Sequence, residues 1–126
     1  AVLLSGSGTT LQNLIDRAES GKLDISIVCV VSSRSGVKGL ERATKHGIPA
    51  FEVPRKGCAN EVEFSSRIWE IVRSHDAQLV VLAGFMSLLK VPEDYTDRII
   101  NIHPALIPAF CGKGMYGHHV HEAVLS

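Results

Sequence analysis

Short apolar runs of strand length alternate along this chain with segments of helical period. The run Val2–Leu4 is followed by apolar residues spaced three and four apart between positions 11 and 18, which make one helical face. The alternation continues to the apolar run at 98–102 and gives the order β-α-β-α-β-α-β-β. Several runs are apolar throughout, as parallel strands covered on both faces are. The pattern therefore predicts an α/β fold with a doubly wound, mostly parallel sheet and right-handed crossovers.

Periodicity and turn residues place the individual elements. Gly47 is expected to end the second helix and Asn60 to cap the third. In the last strand, Ile100 and Ile102 are expected to point into packing, with Asn101 on the other face. We expect strands at 2–4, 25–31, 50–53, 79–83 and 98–102, helices at 11–18, 39–46 and 60–75, and a loop with a short helix through Pro92.

The composition fits one domain of balanced charge. At 126 residues the chain can bury roughly two thirds of the surface that it exposes when unfolded. Thirteen basic and thirteen acidic residues give a formal net charge of zero, without the basic cluster that a nucleic-acid surface needs. No apolar stretch approaches the ~20 residues of a membrane span, and no segment resembles a signal peptide. We therefore expect small-molecule partners, with no nucleic acid and no membrane.

The cysteines favour a reducing compartment. Cys29, Cys58 and Cys111 are odd in number and include no C-x-x-C pair, so we expect free thiols and a cytoplasmic protein. Cys111 and the histidines within His118–His121 match no zinc spacing, so no metal is expected.

Three segments fall where predicted strands end, namely Ser5–Thr10, Gly84–Leu89 and Asn101–Pro104. In a doubly wound sheet, ligands bind beyond the carboxyl ends of the strands, at the switch in strand order. These segments are therefore the candidate site. The polar run Ser32–Ser35 follows another strand, and it either helps near a bound phosphate or is a solvated loop.

The segment Ser5–Gln12 joins the first strand to the first helix. Its glycines permit a tight turn, and the free N–H groups at the helix start favour a phosphate. It is not a Walker A loop, since it has no Gly-Lys-Ser/Thr, and Leu11 takes the third position of a GxGxxG pattern. Phosphate binding is favoured, and a turn that binds nothing is the alternative.

The other two segments differ in character. Ala83–Leu89 follows a buried strand and would either cover the core or form an apolar wall for a flat heteroaromatic ligand. Asn101 and His103 are alternate residues of one strand, so they share a face. Pro104 holds His103 extended at the lip of the strand. An amide and an imidazole would then face one small volume, and a structural histidine is the alternative.

Together these motifs closely resemble the family of phosphoribosylglycinamide formyltransferases, over essentially all 126 residues. Ser5–Gln12 is similar to the family's substrate-phosphate loop, and Leu82–Met86 to its folate loop. Asn101–Pro104, with Leu106 and Pro108, is similar to its catalytic strand end. The resemblance implies a Rossmann-like formyltransferase fold.

The resemblance also implies an activity, which is transfer of a formyl group from the co-substrate 10-formyltetrahydrofolate to the amine of glycinamide ribonucleotide, in de novo purine biosynthesis. The catalytic pair of the family matches Asn101 and His103. Its phosphate-binding positions match Gly8, Thr9 and Thr10, and its folate-contacting positions match Met86, Ser87, Leu88, Leu89 and Asn101.

The chain departs from the family pattern at three places. The family usually has Arg at the position of Ser87, and often a basic folate-tail contact at that of Glu61. Its catalytic Asp, which partners the histidine, lies some tens of residues beyond Pro104. We therefore expect residues 1–126 to be a single formyltransferase domain, incomplete at the C-terminus, which catalyses poorly alone.

Two other functions stay open. A formyltetrahydrofolate hydrolase of the same fold would use water in place of the amine, although it has no nucleotide phosphate to bind at Gly6–Gly8. A non-catalytic folate- or nucleotide-binding module would keep the loop and the apolar wall. The oligomeric state is also open, with a homodimer as one possibility.

Overall fold

Five strands and three helices form the part of the protein that the computed structural model describes, residues 1–102. Two 3₁₀ turns, Arg55–Gly57 and Glu93–Tyr95, lie between them. The strands are β1 (Val2–Leu4), β2 (Val30–Ser32), β3 (Ala50–Glu52), β4 (Val80–Ala83) and β5 (Ile99–Ile102), and the helices are α1 (Thr9–Glu19), α2 (Lys38–Lys45) and α3 (Glu61–Ser74).

The sheet has the predicted doubly wound topology. Its order is β3-β2-β1-β4-β5, and every neighbouring pair is parallel. The chain runs outward from β1 to β3, then returns to the other side of β1 at β4. The switch in strand order therefore lies between β1 and β4, and the segments that follow these two strands leave the sheet side by side.

Helices cover both faces of the sheet. On one face α3 packs against the sheet through residues that include Phe64, Ile68 and Val72. On the other face α1 and α2 pack through residues that include Leu11, Ile15 and Leu40. Because β1, β2 and β4 alternate their side chains between these two cores, they are almost continuous apolar runs in the sequence.

The helix ends follow the predicted turn chemistry. Gly47 lies directly after the end of α2 with a φ of 72°, a conformation that glycine adopts without strain. The side chain of Asn60 accepts a hydrogen bond from the N–H of Glu63 and so caps α3.

Among residues 1–102, no helix is long and apolar enough to cross a lipid bilayer.

The second strand is shorter than predicted, since β2 begins at Val30 and not at Ile25. Val30 pairs with Ala50, so the preceding position lies opposite Pro49, which has no N–H to donate. Residues 25–29 therefore lie before the paired strand, and of these Cys29 still accepts a hydrogen bond from the N–H of Val2 in β1 at 3.0 Å. Similarly, the short helix predicted through Pro92 is a 3₁₀ turn that begins after this proline.

The packing of β5 also differs from the prediction. Ile99 is its buried residue, with 2% of its surface exposed, and it belongs to the core with α3. Ile100 and Ile102 are only half-buried, and no described residue of β5 belongs to the core formed with α1 and α2. β5 lies at one side of the described sheet, whereas α1 and α2 pack nearer its middle. These two helices therefore do not cover Ile100 and Ile102. Asn101 therefore shares its face with the buried Ile99.

Candidate functional site

The segment Ser5–Gly8, which follows β1, packs directly on the backbone of α2. The N–H of Gly39 in α2 donates a hydrogen bond to the carbonyl oxygen of Gly6 at 3.1 Å. Gly8 has a φ of 77°, and a Cβ atom there would lie only 2.6 Å from the Cα atom of Gly39. A Cβ atom on Gly39 would in turn lie 2.8 Å from the Leu4 methyl groups. Both positions therefore need glycine for the loop to meet α2 this closely.

Within residues 1–102, the backbone donors at the start of α1 have no hydrogen-bond acceptor. Gly8 is the N-cap residue and provides no side-chain cap, and the first turn contains no acidic residue. The first intrahelical bond runs from the N–H of Gln12 to the carbonyl oxygen of Gly8 at 2.9 Å. The N–H groups of Thr9, Thr10 and Leu11 therefore have no acceptor within the helix, and the helix dipole makes this end partly positive.

Arg42 of α2 supports this loop from the side. Its Nε donates to the carbonyl oxygen of Ser7 at 2.7 Å, and its guanidinium also reaches the side-chain oxygen of Gln12 at 3.3 Å. Arg42 was not predicted as a site residue, because its role depends on how α2 packs against the loop after β1. A signal was present in Gly39, since glycine in the first turn of a helix is unfavourable unless another backbone approaches closely.

The buried hydroxyl of Ser5 joins three loops. Its oxygen accepts a hydrogen bond from the N–H of Met86 at 2.8 Å and lies 2.5 Å from the hydroxyl oxygen of Ser33. Ser5 is only 2% exposed, so these contacts form away from water. The loops after β1, β2 and β4 are therefore one hydrogen-bonded unit. The run Ser32–Ser35 takes part in this unit through the buried Ser33, whereas Arg34 and Ser35 are exposed. A contribution of this run to phosphate binding stays a prediction.

The loop after β4 is also anchored on α3. The N–H of Lys90 donates to the hydroxyl of Ser65 at 2.9 Å, and Trp69 donates to the Lys90 carbonyl oxygen at 2.7 Å. Near the other end of the loop, the Phe85 ring stacks on Phe64 with centroids 6.1 Å apart. The positions between these anchors are therefore held in place at the edge of the sheet.

The residues predicted to form an apolar wall fall into two groups. Met86 and Leu88 are 76% and 77% exposed, which is unusual for large apolar side chains. Leu89 instead packs against the core beneath α3, and Ser87 is half-buried. Met86 and Leu88 are thus free to meet a ligand, whereas Leu89 mainly fixes the loop.

Asn101 lies at the same edge of the sheet, two strands from β1. It pairs in register with Leu82 of β4, so its distance from β1 is roughly 10 Å, or two strand spacings. Its side-chain amide makes no hydrogen bond with another residue of the described range 1–102. The predicted partner His103 lies outside the described residues, as do Cys111 and His118–His121. Within 1–102, no three His, Cys, Asp or Glu side chains gather as metal ligands.

The described cysteines are structural. Cys29 and Cys58 are free thiols, and both are buried. Burial raises the pKa of the Cys29 thiol, which disfavours the nucleophilic thiolate.

Comparisons with known proteins group the chain with one family. The family model described as formyl transferase matches residues 1–126. The phosphoribosylglycinamide formyltransferase of Haemophilus influenzae is 39% identical over 118 residues, which are 92% of this chain and 56% of that protein. The crystal structure of glycinamide ribonucleotide transformylase 1 from Symbiobacterium toebii is 37% identical. Its TM-score is 0.79, and the match covers 86% of this chain and 52% of that one.

A formyltetrahydrofolate deformylase from Burkholderia mallei is a more distant match. It is 28% identical with a TM-score of 0.70, and the match covers 81% of this chain and 36% of that one. The chain spans about half the length of the bacterial and plant formyltransferases that it matches, with 56% and 44% of their lengths covered.

Proposed function

The chain belongs to the formyl transferase family, and from this premise we propose that it transfers a formyl group from 10-formyltetrahydrofolate to the amine of glycinamide ribonucleotide, in purine biosynthesis. Residues 1–126 belong, in this proposal, to a single formyltransferase domain, which the match over the whole chain supports. The observation that carries the proposal is the buried Ser5 hydroxyl. It holds a phosphate-type loop and an apolar loop together at the switch in strand order.

The ribonucleotide phosphate is proposed to bind at Gly8, Thr9 and Thr10. Three observations support this position: a tight glycine turn, no side-chain cap on α1, and no acidic residue in its first turn. A phosphate there would accept hydrogen bonds from backbone N–H groups that the helix leaves unpaired. Arg42 keeps the loop in shape by bonding to the Ser7 carbonyl, so it acts on the loop and not on the phosphate.

The folate is proposed to lie along Met86, Ser87, Leu88 and Leu89. The exposed side chains of Met86 and Leu88 offer apolar surface to a flat ring system, and burying such surface favours binding. The anchors at both ends of the loop support a binding surface that is formed before the ligand arrives.

The catalytic pair is proposed to be Asn101 and His103. Attack of the amine on the formyl carbon places negative charge on the formyl oxygen, and an amide donor such as Asn101 can stabilise this oxyanion. Asn101 is also proposed to contact the folate, and its position on β5 beside β4, at the edge of the sheet where the loops after β1 and β4 lie, supports this. The role of His103 follows from the resemblance: a protonated imidazole would add positive charge and then protonate the departing folate nitrogen.

A hydrolase that releases formate is the second candidate, because the deformylase from Burkholderia mallei shares the fold at 28% identity. The described loop favours the transferase. Close contacts at Gly8 and Gly39 and a hydrogen bond from Arg42 fix the shape of Ser5–Gly8. In this shape the backbone N–H groups at the start of α1 receive no side-chain cap. An enzyme that used water in place of a ribonucleotide would not need a phosphate cradle there.

The cellular setting is proposed to be the cytoplasm, with small-molecule substrates and neither nucleic acid nor membrane as partner. The balanced charge of the chain and the two free buried thiols support this setting. A homodimer stays a prediction.

The experiment is a product assay on a full-length version that includes the downstream Asp of the family, with 10-formyltetrahydrofolate labelled in the formyl group. The proposal predicts labelled formylglycinamide ribonucleotide when the ribonucleotide is present, and little labelled formate when it is absent. Formate released at the same rate with and without the ribonucleotide would identify a hydrolase. Asn13→Ala, at an exposed position of α1, is the control variant and should behave like the wild type.

A further inference from the structure

A series of hydrogen-bonded side chains crosses the interface between α1 and α2. A carboxylate oxygen of Glu19, the last residue of α1, lies 2.9 Å from Nδ1 of His46. Nε2 of His46 lies 3.3 Å from Nε2 of Gln12, and the side-chain oxygen of Gln12 accepts from Arg42 at 3.3 Å. Arg42 also donates to the carbonyl oxygen of Ser7 at 2.7 Å. We call these five residues the α1–α2 network.

The network holds both ends of the segment proposed to bind phosphate. Ser7 directly precedes Gly8, and Gln12 directly follows Leu11. Because the Arg42 guanidinium donates to both Ser7 and Gln12, it joins the two ends across the loop. The backbone N–H of Gln12 also makes the first intrahelical bond of α1, to the carbonyl oxygen of Gly8. The shape of this segment therefore depends on where the Gln12 side chain lies.

The neighbours of Gln12 leave its side-chain amide only one orientation. A guanidinium has only donors, so the amide oxygen must face Arg42. An ionised carboxylate has only acceptors, and Nε2 of Gln12 donates to the Asp16 carboxylate at 3.0 Å. The second proton on this nitrogen is then available to Nε2 of His46.

This orientation of Gln12 determines the protonation state of His46. Nε2 of the ring faces a donor, so it must accept and carries no proton. Nδ1 faces the Glu19 carboxylate, so the proton of the neutral ring lies on Nδ1. The network therefore requires a neutral imidazole in one particular tautomer.

Protonation of His46 would break the network at Gln12. A proton on Nε2 puts two donors face to face, and turning the Gln12 amide over would move the conflict to Arg42 and Asp16. The Gln12 side chain must then move away, and Arg42 loses one of its two acceptors. Glu19 does not prevent this, because it accepts from Nδ1 in both states and is 59% exposed, so water screens its charge.

The other charges near His46 offset one another. Asp16 and Glu19 lie on α1, and Arg42 and Lys45 precede His46 on α2. The negative end of the α2 dipole favours the charged ring, and histidines change charge between about pH 5 and 8. Among the described residues, only Gln12 and Glu19 bond to the His46 ring. The response of the network to pH therefore depends on the contact with Gln12.

We propose that Gln12 and His46 are positioning residues for the phosphate-binding loop, and that they hold its binding shape only while His46 is neutral. The inference rests on the proposed function, in which this loop binds the phosphate of glycinamide ribonucleotide. Neither side chain touches the phosphate, since both act through Arg42 and the Ser7 carbonyl. Loss of the bond between Arg42 and Gln12 should weaken ribonucleotide binding about three- to tenfold, as one hydrogen bond does.

The test measures the dissociation constant of glycinamide ribonucleotide by calorimetry at about pH 8 and about pH 5.5. It uses a full-length version that includes the downstream Asp of the family. The ligand titrates as well, so each variant is compared with the wild type at the same pH. His46→Gln places a neutral acceptor near the position of Nε2 at both pH values. Relative to this variant, the wild type should lose about three- to tenfold in affinity as the pH falls.

Two further variants separate positioning from a general structural role. His46→Ala offers Gln12 no acceptor, so at about pH 8 it should bind the ribonucleotide more weakly than His46→Gln does. Gln12→Met keeps the shape of the side chain but removes its amide. In that background, His46→Gln should no longer change the response to pH.

His75→Gln is the matched control. His75 also follows the last residue of a helix, and its Nδ1 lies 2.9 Å from the carbonyl oxygen of Ile71, away from the phosphate loop. This variant should keep the wild-type response to pH. Urea denaturation at each pH value confirms that every variant is folded.

The contrary outcomes are distinguishable. A ratio of wild-type to His46→Gln affinity that stays constant with pH overturns the inference and leaves the proposed function standing, because the ribonucleotide still binds. A proton on Nε2 of His46 at about pH 8, detected by nitrogen NMR of the ring, also overturns it. If the wild type binds no ribonucleotide at either pH, the proposed function fails and the inference fails with it.

Discussion

The side-chain oxygen of Ser5 accepts a hydrogen bond from the backbone N–H of Met86 at 2.8 Å, across 81 residues of sequence. Ser5 begins the segment that follows β1, and Met86 begins the segment proposed to bind folate. Because β1 and β4 flank the switch in strand order, this one bond sets the spacing between the two halves of the candidate site.

Replacing Ser5 with alanine should destabilise the protein. The change leaves the Met86 N–H and the Ser33 hydroxyl without their buried partner, so unfolding free energy should fall by about 1–3 kcal/mol. Urea denaturation measures it. Ser7→Ala in the same loop is the control, since that side chain is exposed, and should change stability by less than about 0.5 kcal/mol. Equal midpoints for the two variants would contradict this role of Ser5.

Gly8→Ala should lower the free energy of unfolding by more than the strain of a left-handed backbone at this residue would lower it alone. A methyl group would meet the Cα atom of Gly39 at 2.6 Å, so the expected cost is about 2–5 kcal/mol, from backbone strain and overpacking together. Gly21→Ala is the matched control. Its φ of 80° is similar and its surroundings are open, so about 1–2 kcal/mol is expected. If the two variants lost equal thermal stability, α2 would be able to move away from the added methyl group at little cost, and the prediction would be wrong.

Met86→Ala should weaken folate binding without unfolding the protein. The side chain is 76% exposed, and the backbone N–H that bonds to Ser5 is kept. Losing the apolar contact should reduce affinity for tetrahydrofolate by about tenfold. Calorimetric titration of tetrahydrofolate measures the affinity. Val62→Ala is the control and should bind as the wild type does, since Val62 is 56% exposed on α3 outside the proposed folate segment. The assignment fails if both variants bind folate as the wild type does.

The Glu63 carboxylate at the start of α3 should stabilise the folded protein at neutral pH, and this stabilisation should be lost in acid. The N–H of Ala59 donates to the Glu63 carboxylate, and this bond, aided by Arg67, lowers the pKa of Glu63 below its ordinary value of 4.5. A lowered pKa means that stabilisation is complete above the ordinary value and disappears as pH falls through the folded-state pKa.

Glu63→Gln should therefore be less stable than the wild type at pH 7, and the difference should shrink below pH 4.5. Thermal unfolding at a series of pH values measures it. Glu70→Gln, at an exposed position of the same helix, is the control. A difference that stayed constant down to pH 2 would exclude the Glu63 charge as its source.

Much of the fold was predictable, because helices and parallel strands differ in period and in turn residues. Asn60 and Gly47 mark helix ends through local chemistry, and both predictions are confirmed. The start of β2 was predicted wrongly because strand ends depend on the partner strand, here on Pro49. The burial of Ile99 in place of Ile100 likewise depends on which helix covers the sheet at that point.

The candidate site was predictable only in part, because sequence patterns locate loops but not the contacts between them. Ser5–Thr10 and Gly84–Leu89 are indeed neighbours at the switch point. The cavity that Arg34 and Lys56 both line could not be predicted from the sequence, since these residues are well separated along the chain. They come together only because β2 and β3 are adjacent and parallel.

The central claim is that Asn101 stabilises charge that develops during formyl transfer. In a full-length version that includes the downstream Asp of the family, Asn101→Ala should lower kcat for formylglycinamide ribonucleotide formation by about 10²- to 10³-fold, as loss of one oxyanion donor does. The dissociation constants of both substrates should stay nearly unchanged, because the interaction is made in the transition state. The measurement is kcat and both dissociation constants for the wild type and Asn101→Ala, with Asn13→Ala as control. A near-normal kcat in Asn101→Ala, or a loss confined to substrate affinity, would contradict the account.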